Sequence, residues 1–203
     1  MIRLLRLVLI DRRAASAAEF ALVLPLLVLL LLGIIDTGRF FWQLNQSEKA
    51  TQMGVRMAVV TTPVSPDLVG ASYINGTVTK SGDIVPASAL GTLRCTSTSC
   101  TCPTSPCPTA NGSVDADAFN AIVARMAAIN PLITASNVVV SYSGSGFGYA
   151  GPADDTMDVQ PLVTVTLRNM QFNPIALLGF AGWNLPAASA TLTAEDSSGS
   201  FSN

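Results

Sequence analysis

The run AASAAEFALVLPLLVLLLLGII, Ala14 to Ile35, contains a single charged side chain and constrains the fold more than any other part of the chain. An α-helix rises about 1.5 Å per residue, so the run covers about 33 Å, enough to cross the hydrocarbon core of a bilayer. In that core the backbone must satisfy its own hydrogen bonds, which selects a helix for a lone segment. Met1 to Arg13 lead into it with Arg3, Arg6, Arg12 and Arg13 against one acid, Asp11. Positive flanks stay in the cytoplasm, so the N-terminus is expected there and nearly everything after about residue 45 on the far side.

A cleaved secretory signal shares the basic start and apolar centre but ends in a small-residue cleavage site. Here the run passes into DTGRFFWQLNQSEKATQMGVRMAVV, where Phe40, Leu44, Ser47, Ala50 or Thr51, Gly54, Met57 and Val60 recur at helical spacing. The helix is therefore expected to be retained and to continue to about residue 60. Phe40, Phe41 and Trp42 stand where interfacial aromatics mark the exit from the bilayer. Pro25 lacks an amide hydrogen and is expected to kink or loosen the helix, and Gly33 and Gly38 would let a neighbouring helix approach closely. Glu19 is the exception within the apolar run. An acid there either reaches back to the cytoplasmic interface or has a functional partner, because charge in lipid is costly.

Of the 203 residues, roughly 140 to 160 remain for one soluble domain. The formal net charge is −2 and no basic cluster follows the apolar run, which excludes nucleic acid as the main partner. The chain has no histidine, which removes the commonest general base and the commonest zinc ligand together. No catalytic residues, metal site or cofactor are expected.

Cys95, Cys100, Cys102 and Cys107 admit three pairings, and spacing does not choose among them. Export favours one or two disulfides over a zinc site, since the spacing is not that of paired Cys-x2-Cys ligands. The surrounding segment, Thr61 to Asn111, is rich in Pro, Gly, Ser and Thr, so loops with one strand near Ile84 to Leu93 are expected. Asp115 to Asn130 reads as an amphipathic helix with Phe119, Ile122, Val123, Met126, Ala127 and Ile129 on its apolar face. Ala135 to Ser143, Gln160 to Arg168 and Ala188 to Glu195 read as strands. An antiparallel sheet packed on a helix follows.

Asp154, Asp155 and Asp158 beside a Gly-rich stretch lack the glycine and terminal glutamate of an EF-hand and read as an acidic surface loop. Asn75-Gly76-Thr77 and Asn111-Gly112-Ser113 match glycosylation sequons but are first turn signals.

RRAASAAEFALVLPLLVLLLLGIIDTGRFF resembles the N-terminus of the TadE-type minor pilins, or pseudopilins, of the Tad (Flp) tight-adherence pilus system, over about Arg12 to Val60. The resemblance implies a basic leader removed by a prepilin peptidase, an aspartic protease of the bacterial inner membrane. A Glu-aromatic pair lies at positions five and six of such mature chains. Glu19 and Phe20 fit this, placing the cut between Ala14 and Ala15; position 14 is alanine where the family usually has glycine. Cleavage there removes four of the 11 basic and one of the 13 acidic residues, leaving a net charge of −5. The freed α-amino group would pair with Glu19, in its own chain or a neighbouring subunit, and set the register of packed helices.

The implied architecture is α+β and pilin-like: leader 1–14, membrane-spanning then amphipathic helix 15–60, disulfide-stapled loop region 61–112, and an α+β exported domain 113–203. The implied partners are the membrane, the prepilin peptidase, other pilin or minor pilin subunits and the pilus assembly machinery, with roles in adhesion or secretion. Asp196, Ser198 and Ser200 echo the Asp-x-Ser-x-Ser of metal-dependent adhesion domains, which occur in a related Tad component, but read as a chance match in a frayed tail. The competing function is a single-pass anchored extracytoplasmic binding module. A plain tether has no need of Glu19.

Overall fold

The N-terminal helix forms as α1, Arg12–Val60, with Pro25 inside it and no interruption. The computed structural model describes residues 12–74, 80–108, 112–151, 157–175 and 182–195, with side chains from Ser16 onward. The short helix α2 is Pro66–Val69 and the amphipathic helix α3 is Ala116–Ala127. The strands are β1 Thr92–Cys95, β2 Cys100–Thr104, β3 Val138–Ser143, β4 Leu162–Leu167, β5 Gln171–Phe172, β6 Trp183–Asn184 and β7 Ala188–Thr193. The chain divides into two compact units: Met1–Gln43 with Phe172–Trp183, and Leu44–Gln171 with Asn184–Asn203.

The larger unit holds a five-stranded antiparallel sheet in the order β2-β1-β3-β4-β7. Strand alternation puts every second residue on one face. Register aligns Leu93 with Tyr142 and Val163, Cys95 with Val140 and Val165, and Val138 with Leu167, and all of these are buried. The opposite face carries Thr164, Thr166, Ser189 and Thr191, with Thr164 and Thr191 hydroxyls 2.8 Å apart across the strands. That division into apolar and hydroxyl faces is the pattern of a sheet covered on one side only.

The cover comes from α1 and α3. Ser47, Ala50, Thr51, Gly54, Val55, Met57, Ala58 and Val59 of α1 are buried, largely the stripe that the helical spacing marks out. A Cβ on Gly54 would lie 2.7 Å from Met126 Sδ and 3.3 Å from Val165 Cγ1, so this glycine lets α1 come down onto both α3 and β4. Helix α3 begins at its N-cap Asp115, whose Oδ1 accepts from Asp117 N–H at 3.0 Å and Ala118 N–H at 2.9 Å. Phe119, Ile122 and Met126 are its buried residues. The turn after Ala127 ends at buried Asn130, whose Oδ1 accepts from Leu132 N–H.

The α+β fold, with a long apolar helix followed by a small antiparallel sheet and a helix, is as the sequence leads one to expect. The three C-terminal strands fall within the expected segments, each shortened by a residue or more. The region 61–112 differs. The strand expected at Ile84–Leu93 is broken by Pro86, which starts a 3-10 turn at Ala87–Ala89, and Ile84 keeps only an isolated bridge to Tyr149. The strand starts at Thr92 instead, and β2 follows it on the sheet edge. Proline is tolerated in β2 because Pro103 lies on an edge strand, where the pairing with β1 shifts register.

Candidate functional site: the apolar helix and its C-terminal end

Within α1 the side chains from Ser16 to Ile35 are exposed, apart from half-buried Leu32. By length and composition the helix is apolar enough to cross a membrane, with mean hydropathy 2.7 in an 18-residue window of Ser16–Val60. Such a surface is stable against lipid or against other apolar helices and costly against water. Glu19 and Phe20 both lie on this exposed stretch. Ala14 and Ala15 are helical in backbone, and their side chains fall outside the described part of the structure, as does the leader up to residue 11. Gly33 and Gly38 have open space where a Cβ would stand.

At the end of the apolar run the smaller unit makes a clasp. Asp36 is 7% exposed, and its Oδ1 accepts from Arg39 Nη1 at 3.0 Å and from the backbone N–H of Ile175 at 2.9 Å. Arg39 Nη1 also reaches the carbonyl of Asn173 at 3.3 Å. One helical turn past Asp36, Phe40 meets Phe172 edge to face at 5.4 Å, Trp183 lies 5.4 Å from Phe172, and Arg39 stands 5.6 Å from the Phe172 ring centre. Aromatic pairs of this geometry and a guanidinium over a ring add to the area they bury. Between helix and clasp is a groove of about 640 Å³, lined by Leu29, Gly33, Phe40, Phe172, Pro174 and Trp183 among others. Sequence reasoning marked Phe40 to Trp42 but missed Asp36 and its partners. The signal was an acid directly after the apolar run, and an uncharged stretch, PIALLGFAGW, far downstream.

The four cysteines resolve into Cys95–Cys100 and Cys102–Cys107. The first joins directly opposed residues of β1 and β2 and closes the turn in which Thr96 N–H donates to the Ser99 carbonyl at 2.9 Å. With no free thiol, four-thiolate zinc binding is replaced by two covalent staples. Asp158 is buried and its carboxylate accepts from Tyr73 N–H at 3.3 Å; Asp154 and Asp155 lie outside the described residues, as do Asn75-Gly76-Thr77, Asn111, Asp196, Ser198 and Ser200. Burial, and then the nearby Asp158 carboxylate, push the Tyr73 phenol well above its ordinary value. Burial does the same to Tyr142, against the opposing effect of the Val64 N–H that donates to its oxygen at 2.9 Å.

These features define an α+β protein with a membrane-anchor-like N-terminal helix. Its N-terminal segment is TadE-like: residues 14–56 match the family model described as TadE-like protein, within the stretch that carries the resemblance. No curated protein and no solved structure matches the chain.

Proposed function

We propose that this chain is a minor pilin, or pseudopilin, that serves assembly or function of a Tad-type, type IV-like pilus. The observation that carries the reading is Glu19: a carboxylate exposed on a lipid-length apolar helix, inside the segment that matches the TadE-like family. A charge held in lipid demands a partner, and a neighbouring subunit's α-amino group, or its own, supplies one once a leader is cut between Ala14 and Ala15. Glu19 and Phe20 are then the pair read by the prepilin peptidase, and residues 1–14 are the leader. Residues 15–60 form the anchoring and packing helix, 61–112 the stapled region, and 113–203 the rest of the exported domain. The Arg-rich start supports a cytoplasmic N-terminus with the domain outside the inner membrane.

The function is structural, without catalysis or cofactor. The test is complementation of piliation in a host lacking the chain. Wild type restores pili, while Glu19→Ala and a chimaera carrying an unrelated span for residues 14–35 do not. Full restoration by the chimaera would make the helix a tether and favour an anchored binding module instead.

A further inference from the structure

The clasp stands at a definable depth. If Ala14–Ile35 fills the hydrocarbon core, as its length of about 33 Å allows, Asp36 falls at the far boundary and Phe40 about 6 Å beyond it, among the headgroups. Phe172, Asn173 and Ile175, held there by Phe40, Arg39 and Asp36, lie at the same level. Two side chains beside this contact are exposed apolar groups, Ile175 at 53% and Trp183 at 44%. The groove beside them reaches down to Leu29, well inside the hydrocarbon span, so it is continuous with the lipid-facing surface of the helix. From Ile175 to Trp183 the sequence IALLGFAGW has no charged residue. Buried Asp36 fixes Ile175 at this level by accepting from its backbone N–H.

We propose a second membrane contact: Ile175 and Trp183 seat in the acyl–headgroup boundary of the far leaflet, and a phospholipid acyl chain occupies the groove between them and the helix. Lipid is the one occupant that the depth supplies wherever the helix spans, and indole rings favour this boundary. The contact fixes the rotation and height of the helix about its exit, where a lone span would be free to turn. It rests on the helix spanning a membrane and is independent of any role in a pilus.

The chain has two tryptophans, Trp42 and Trp183, so single substitutions isolate each. Full-length Trp42→Phe is placed at one copy per phosphatidylcholine nanodisc, with or without lipids brominated near the top of the acyl chains. The proposal expects brominated lipid to remove most of the Trp183 emission, iodide in the water to leave it, and Asp36→Ala in the same background to recover it. The Trp183→Phe protein reports Trp42 at the helix exit. Quenched Trp42 with unquenched, iodide-sensitive Trp183 overturns the second contact while the anchor stands. Both tryptophans unquenched overturns the anchor as well.

Discussion

Replacing Tyr142 by phenylalanine removes one oxygen from the centre of the domain. Tyr142 is 1% exposed and Val64 is fully buried, and the Val64 N–H donates to the phenol oxygen at 2.9 Å. Phenylalanine keeps the ring in the sheet face with Leu93 and Val163 but leaves that N–H without its acceptor, where water has no access. An unsatisfied buried donor costs about 1–3 kcal/mol. For a domain of this size each kcal/mol moves the midpoint by roughly 2–4 °C, so a loss of about 2 kcal/mol lowers Tm by roughly 4–8 °C. Near-UV circular dichroism melts of the full chain in detergent, at one scan rate, read this directly.

The difference has a pH signature. The folded phenol is held above its ordinary value, near 10, so its stabilising effect is complete below about pH 10 and is lost as pH rises further. The gap between wild type and Tyr142→Phe should therefore narrow in alkali, while Tyr73, present in both, shifts the two curves together. A variant melting within about 1 °C of wild type at pH 7 would refute the hydrogen-bond reasoning.

Three further outcomes follow from the packing. Gly54→Leu puts a branched side chain where Met126 Sδ already stands 2.7 Å from a Cβ, and overpacking of this kind should cost about 1–3 kcal/mol in a denaturant titration, with partial recovery in the Gly54→Leu/Met126→Ala double variant. Asp115→Ala removes the acceptor for two N–H groups at the start of α3 and should cost about 1 kcal/mol by the same titration. Thiol labelling of the unreduced, denatured chain should find no reactive cysteine, and each five-residue disulfide loop should contribute about 2 kcal/mol that reductant removes.

Local periodicity carried most of the fold. The Ala14–Ile35 run, the apolar spacing from Phe40 to Val60, the acid-capped stretch at Asp115 and the Val/Thr alternation of β3, β4 and β7 are each written in consecutive residues, and each formed the expected element. What sequence left open depends on distance. The Asp36–Ile175 bond joins residues 139 apart, and neither end has a local pattern that names the other. The disulfide pairing was decided by the β1–β2 hairpin, which sets Cys95 opposite Cys100 and was itself hidden by Pro103. Glu19 was legible as an anomaly because one acid in an apolar run is visible without any structure.

The central claim, that this helix is a processed pilin segment and more than a tether, is tested most directly at its N-terminus. Intact-mass analysis of the full chain, made with and without a cognate prepilin peptidase, reads the scissile bond itself, for wild type and for Glu19→Ala. The account predicts that the peptidase removes residues 1–14 and leaves Ala15 as the N-terminus of the wild-type chain. An N-terminus still uncut after Ala14 in the presence of active peptidase would contradict it.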